Sequence, residues 1–240
     1  MADRLIPDRA YTKVTRGSDR NAYNFPRPIV AVDTALLTLD PEQGLVVVEM
    51  ARDDIDAGKW ALPGAFLRKG EILAEAVERS LRDKVGVQGI KPIQLYVFDD
   101  PERDNRNWVL SVAHVAVVRP EQLEALGSGT ATAVRLAPVD RPGELVWDHP
   151  AIVKRAKQHI RSRYEDKPDP DRLLGNRFTM RELQLAHEAV AGHPLQRDTF
   201  RRTMELQLIG TGNHENTGTR GRPAELFRRR VVRQRHRSMR

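Results

Sequence analysis

Hydrophobic residues are distributed in two styles along this chain. Over residues 29–39, IVAVDTALLTL, aliphatic and β-branched side chains run almost unbroken; DPEQG interrupts them, and LVVVEM (45–50) resumes the run. Two such runs around a Pro/Gly turn predict a β-hairpin with buried strands. The arrangement recurs at IQLYVFDD (93–100), the charged loop PERDNRN and WVLSVAHVAVV (108–118), a second predicted hairpin. Between the hairpins the period changes. Leu73, Val77 and Leu81, with Ala76 beside them, recur at helical spacing, and Gly86 follows as a stop. PVDRPGELVWDHPAIVKRAKQHIRSRYE then passes from a Pro/Gly loop into a helix of about 15 residues.

DKPDPDRLLGN (166–176), with two prolines, a glycine and alternating charge, reads as a linker. Beyond it, TMRELQLAHEAVAG (179–192) opens with Thr179 three residues before Glu182, the capping-box spacing, and closes at Gly192, which marks a helix. HPL leads to a second helix at about Arg197–Leu206, where Phe200 and Met204 would face a core. LIGTG, the polar stretch NHENTGTRGRP and AELFRRR follow as a hairpin with a long tip. Helix, tight turn, helix, hairpin is the order of a winged helix-turn-helix. The expected division is a lead-in over 1–27, a domain over 28–165, a linker over 166–176, a winged helix over 177–230 and a basic tail over 231–240.

Charge sharpens that division. Residues 1–150 hold 19 Lys+Arg and 23 Asp+Glu, a net −4, whereas residues 151–240 hold 21 and 10, a net +11. The basicity belongs to the second half and points to a polyanionic partner there. The absence of cysteine excludes disulfides, zinc–cysteine sites and thiol catalysis. No segment approaches the ~18 uninterrupted apolar residues of a membrane span, and MADRLIPDRAYTK lacks the apolar centre of a signal peptide, so the expected location is the cytoplasm. The histidines show no metal-ligand spacing; His114, alternating in an apolar strand, reads as a core residue.

GKWALPGAF and the stretch after it resemble the Nudix box: glycine, five residues, glutamate, seven residues, then Arg-Glu-apolar-any-Glu-Glu-any-Gly-apolar. Ala65 stands at the family's glycine, while Glu71, Arg79, Leu81, Gly86 and Val87 fit. The three helical glutamates fall on Ser80, Asp83 and Lys84. At positions i, i+3 and i+4 three carboxylates would share a helix face and hold divalent cations that polarise a pyrophosphate and activate water. Here that face carries a hydroxyl, one carboxylate and an ammonium. The expectation is a domain without catalytic residues, bound metal or cofactor, which binds without cutting. Arg79 is expected to pair with Asp83 or Glu75, and Arg52, Arg68 and Arg103 are the candidate ligand-binding side chains, although each singly also reads as a solvent-facing arginine.

Joined to the second half, with RFTMRELQLAHEAVAGHPLQRDTFRRTMELQLI, LVWDHPAIV and GRPAELFRRR, the chain resembles the Nudix-related transcriptional regulators of NAD metabolism, the NrtR-like regulators. The resemblance implies an α+β protein: a Nudix-like α/β/α sandwich followed by a winged helix-turn-helix. It implies a repressor of NAD biosynthesis or salvage genes, an ADP-ribose-type effector, and double-stranded DNA as partner. A homodimer on a palindromic operator follows from the winged-helix class. In such a reader Gln196, Arg197, Thr199, Arg201 and Arg202 lie near the N-terminal end of the recognition helix, where Gln and Arg supply base contacts and arginines also reach phosphates. Arg220 and Arg222 at the hairpin tip suit a minor groove. Two other readings stay open: an ADP-ribose pyrophosphatase with a basic appendage, and a non-specific nucleic-acid binder acting through its tail.

Overall fold

The structure, a computed structural model, describes residues 27–53, 56–104, 106–215 and 223–230. Arg220, Arg222 and the tail 231–240 lie outside the described residues. β1 (Ile29–Asp40) and β2 (Gly44–Ala51) form the first hairpin, and the second consists of β5 (Ile93–Phe98) and β6 (Val109–Val117). The two hairpins join through β1 and β6, which run parallel from Ile29 opposite Val109 to Leu37 opposite Val117. β3 (Trp60–Ala61) and β7 (Val134–Pro138) extend the sheet along β2. β4 (Gly64–Phe66) pairs with the start of β1, where β2 has already diverged. The split of β1 between β4 and β2 opens the sheet beside Asp33.

Strand alternation sends β1 residues to two faces. Ala35 and Leu37 meet α2 (His149–Tyr164) through Ile152, Val153, Ala156 and Ile160, while Val32 and Leu36 meet Ala76, Val77 and Leu81 of α1 (Leu73–Ser80) and its extension. Helices on both faces make the α/β/α layering. α1 does not end at Ser80: Leu81–Val85 continue as a π-helical turn closed by Gly86 at φ 80°. A side chain at Gly86 would overlap the Ala125 carbonyl, so glycine serves both the left-handed backbone and the close approach. Leu81 and Val85 are fully buried, each contributing ~1.5–3 kcal/mol of apolar transfer.

The second unit contains β8 (Phe178–Thr179), α3 (Met180–Ala191), α4 (Arg197–Glu205), β9 (Leu208–Glu215) and β10 (Ala224–Arg229), with sheet order β8-β10-β9. The capping box forms: Thr179 Oγ1 accepts from the Glu182 N–H at 3.1 Å, and Glu182 Oε2 accepts from the Thr179 N–H at 2.7 Å. Gly192, at φ 81°, closes α3. Phe200 and Met204 are buried with Phe178, Leu183, Leu208 and Phe227. This is the winged helix-turn-helix, and with the layered sheet it gives the expected α+β class.

The units share packing. Val190 of α3 belongs to the core beneath α2, Arg161 Nε donates to its carbonyl at 2.9 Å, and Ala189 lies against Gly44 in the first hairpin turn. Segment 166–176 is tied down by Asp169. This fully buried carboxylate accepts from Tyr164 Oη and the Leu173 and Leu174 N–H groups, and pairs with Arg229 of β10.

Candidate functional site

Two cavities open where the sheet divides. One, of about 200 Å³, reaches Asp33, Arg103, Trp147 and His149; the other, of about 220 Å³, reaches Asp53, Thr130 and Thr132. They share Met50, Arg52 and Lys84. The floor is a fixed polar cluster. Ser111 Oγ donates to Asp33 Oδ2 at 2.6 Å, and Arg103 forms a two-point pair with Asp148 at 2.7 and 2.5 Å while standing 3.6 Å from Asp33. The Leu62 N–H donates to His149 Nδ1 at 2.9 Å, which leaves the ring proton on Nε2, facing Asp33 Oδ1 at 3.5 Å. Burial alone would raise the Asp33 pKa, yet His149, Ser111 and Arg103 outweigh it and hold the carboxyl at about 2. Gly64 permits this closeness, since a side chain there would overlap Asp33 Oδ1.

Trp147 forms the wall. Its φ of 51° is a left-handed conformation that a bulky side chain adopts at a cost of order 1–3 kcal/mol, and such strain concentrates at binding sites. The indole receives Arg52 at 4.7 Å and Arg106 at 4.4 Å from its centroid. Arg106 also holds Asp104 at two points, 2.9 and 2.8 Å.

Of the sequence-predicted ligand side chains, Arg52 lines both cavities. Arg103 lines the first with its guanidinium paired at the floor, its side chain only 3% exposed. Arg68 is exposed and lines neither. Trp147, Arg106, Asp33 and His149 were not read as site residues. The signal for Trp147 was present, since LVWDHPAIV is a family segment, but an isolated tryptophan does not announce a left-handed backbone.

The pairing of Arg79 corrects the sequence expectation. Arg79 pairs with Glu71 rather than Asp83 or Glu75, at 2.7 and 2.9 Å, and also donates to the Phe66 carbonyl. Arg79 and the Arg68 N–H hold Glu71 at about 2. Glu75 accepts the Ile72 N–H at the start of α1, and Asp83 pairs with Arg82 at the surface. The Nudix resemblance implies divalent metal on this helix, and the residues present do not fit one. Ser80 is buried, Glu71 is held by Arg79, Asp83 faces solvent, and Lys84 brings an ammonium to the cleft. Among the described residues no cluster of three or more His, Asp or Glu could hold a metal ion.

The other site is α4. Arg197, Thr199, Arg201 and Arg202 are exposed around the buried Phe200 and Met204, and Gln196 and Thr199 also line a cavity shared with Arg161, Tyr164 and His187. Gln196 is the N-cap, its side chain accepting from the Thr199 N–H, so a two-point base contact would require that cap to open. Arg201 stands 3.3 Å from Glu205, an exposed pair of small energetic weight.

Comparison with known proteins matches both units of the fold. The NUDIX domain family matches residues 30–157, and the NrtR DNA-binding winged helix domain matches residues 171–229. The ADPR responsive transcriptional repressor NtrR of Acinetobacter baylyi is 26% identical over 209 residues, which span 85% of this chain and 83% of that protein. The crystal structure of Shewanella oneidensis NrtR is 30% identical with a TM-score of 0.68, over 84% of this chain and 94% of that one. The same protein complexed with a 27mer DNA is 29% identical with a TM-score of 0.69, over 83% of this chain and 93% of that one. The ADP-ribose pyrophosphatase of Methanocaldococcus jannaschii is 26% identical over 151 residues, or 62% of this chain and 86% of that enzyme. A Nudix sheet with an open cleft, continuing through α3 into a winged helix with a cationic outer face, and matched in both parts, places this chain in the NrtR family of Nudix-related transcriptional regulators.

Proposed function

We propose that this chain is an ADP-ribose-responsive transcriptional repressor, acting as a cytoplasmic homodimer on a palindromic operator that controls NAD biosynthesis or salvage genes. In this reading residues 28–165 sense the effector, 166–176 link, and 177–230 read DNA. The observation that carries it is α4: Arg197, Arg201 and Arg202 exposed on a helix anchored by Phe200 and Met204, with Gln196 and Thr199, also exposed, at its N-terminal end. A recognition helix needs that amphipathicity, because its apolar stripe fixes its height above the groove and its opposite face meets bases and phosphates. Arg220 and Arg222, which fall between β9 and β10 in the sequence, are proposed as further DNA contacts. The names of the relatives supply ADP-ribose as effector, and the cleft supports it with cations around two joined cavities.

The Nudix domain in this reading does not hydrolyse. The hydrolase alternative draws on the archaeal pyrophosphatase likeness, but requires Glu71 and Asp83 to leave their arginines and Lys84 to move aside. Magnesium-dependent release of AMP from ADP-ribose, lost in Asp83→Ala, would favour it. The regulator is tested by selecting genomic fragments with the purified protein at about 0.15 M salt, where screening already penalises charge-only binding. A shared palindrome is the expected outcome; unrelated fragments, or none, would refute sequence-specific reading. Removal of residues 231–240 separates the third reading: it should leave fragment preference intact, and loss of all affinity would transfer binding to the tail.

A further inference from the structure

One helix, α2, runs from the cleft to the DNA-reading unit. Its N-cap is Asp148, which holds Arg103 at 2.7 and 2.5 Å, and its first residue, His149, lies on the cleft floor. Its last turn carries Arg161 and Tyr164, and both meet α3: Arg161 at the Val190 carbonyl, Tyr164 at the His187 ring. A rise of about 1.5 Å per residue sets Arg161 roughly 18 Å along the axis from His149. A displacement of the start of α2 is therefore felt at α3.

The Arg161 guanidinium joins three segments. Its Nε donates to the Val190 carbonyl in the last turn of α3 at 2.9 Å, and its Nη2 donates to Asp140 at 2.7 Å. Lys157, four residues earlier on α2, holds the same carboxylate at 2.8 Å. Positive charge at the C-terminal end of α3 also suits the helix dipole. Gly192 permits the approach, since a side chain there would press on the guanidinium. Asp140 itself is fixed to the sheet: the Val139 N–H donates to the Leu45 carbonyl at 3.1 Å, and the loop that follows is pinned by the Gly143 N–H on Glu49 and the Trp60 N–H on the Glu144 carbonyl, both at 2.9 Å. A shift of α2 thus carries Arg161 past a stationary carboxylate.

The surroundings leave room for such a shift. A cavity of about 630 Å³ lies between the last turn of α2 and α4, reaching Arg161, Tyr164, His187, Gln196 and Thr199, so α4 takes its position relative to α2 through α3. The Asp140 side chain is 50% exposed, which makes its pairing with Arg161 weak and easily opened. At the opposite end of α2, an anion entering the cleft meets Arg103 and competes for it with Asp148, the residue that caps the helix. Packed helices answer such competition by sliding over small distances.

We infer that Arg161 is the latch through which the cleft controls the recognition helix: it ties α2 to α3 and holds α4 in its DNA-reading position, and effector binding, felt at Asp148, moves α2 and releases it. The inference rests on the reading that the chain is an ADP-ribose-responsive repressor. Breaking the latch then imitates the effector. In Arg161→Gln the released state is more populated, so operator affinity falls, while ADP-ribose affinity rises because the ligand no longer has to open the latch. The test is fluorescence anisotropy with an operator fragment recovered by genomic selection, and isothermal titration calorimetry with ADP-ribose, on full-length wild type, Arg161→Gln and Asp140→Asn. Arg161→Gln should lose about fivefold or more in operator affinity and gain a similar factor for ADP-ribose. Asp140→Asn, which keeps the Val190 contact, should move both affinities in the same directions by less, and it decides the matter if Arg161→Gln does not fold. Wild-type affinities in the variants would overturn the inference, as would a loss of operator affinity without a gain for ADP-ribose, which marks mere damage to the DNA-reading unit. A wild-type operator affinity indifferent to ADP-ribose would instead remove the responsive-repressor reading, and the inference with it.

Discussion

The cleft and the outer face of α4 are both rich in arginine and differ in what those arginines face. In the cleft Arg103 is nearly buried between Asp148 and Asp33, and Arg106 holds Asp104 at two points; on α4 Arg197, Arg201 and Arg202 stand in solvent. A small anionic ligand needs a preorganised cavity, and the cleft's carboxylates fix Arg103 and Arg106 in place. A DNA surface needs cations that exchange counterions for phosphates, so it leaves them solvated. In the proposed function the same residue type is therefore structural in one region and recognitional in the other.

The strongest test of that difference is Arg103→Ala. It leaves Asp148 and Asp33 without their buried partner, and a stability loss of ~3–5 kcal/mol by chemical denaturation is expected. A loss below ~1 kcal/mol would show that the cleft arginine is no more structural than one on the surface.

Next in size is a pH effect in the seam between the regions. His187 is packed edge-on against Tyr164 and Phe200, and its Nε2 accepts the Asp169 N–H at 3.3 Å. Burial lowers its pKa from 6.5 to about 4, against smaller raising influences from the Tyr164 backbone and Asp169. The unfolded chain thus binds this proton more readily. The associated stability is complete above 6.5 and is lost as pH falls towards 4, by up to ~3 kcal/mol. A urea midpoint that falls over this window in wild type and is flatter in His187→Gln is expected; identical slopes would remove His187 as the cause.

Arg202→Ala sharpens the comparison from the other side. Operator affinity should fall about tenfold, by ~1–3 kcal/mol, while folding stability stays within ~0.5 kcal/mol of wild type. A stability loss like that of Arg103→Ala would erase the distinction. The smallest effect concerns the helix that carries α4: Thr179→Ala should cost ~1 kcal/mol by removing the N-cap of α3, read as a small drop in unfolding temperature.

Local signals carried the sequence reading a long way. The hairpins, the start of α3 at Thr179, its stop at Gly192 and the inward-facing Phe200 and Met204 all follow from turn chemistry, caps and period. Contacts far apart in sequence were not legible. The parallel pairing of β1 with β6 joins residues 80 apart at each rung, and nothing near Val32 names Val112. β7, short and half-buried, gave no periodic signal. In the box, spacing suggested Asp83 or Glu75 for Arg79, but the π-helical turn and the Ile72 cap draw those carboxylates away and Glu71 receives the guanidinium. Asp169 is a similar case. Its polar, Pro-rich neighbourhood reads as surface, while the fold buries its carboxylate against two backbone N–H groups, Tyr164 and Arg229.

The central claim is that one chain couples a ligand cleft to a DNA-reading helix. The most direct measurement is a pair of equilibrium titrations: operator affinity with and without saturating ADP-ribose, and ADP-ribose affinity with and without saturating operator. Linkage predicts that each ligand weakens the other by the same factor, in the range of 5 to 150-fold typical of allosteric coupling. Tight ADP-ribose binding that leaves operator affinity unchanged would contradict the account, because a ligand with equal affinity for both states shifts nothing.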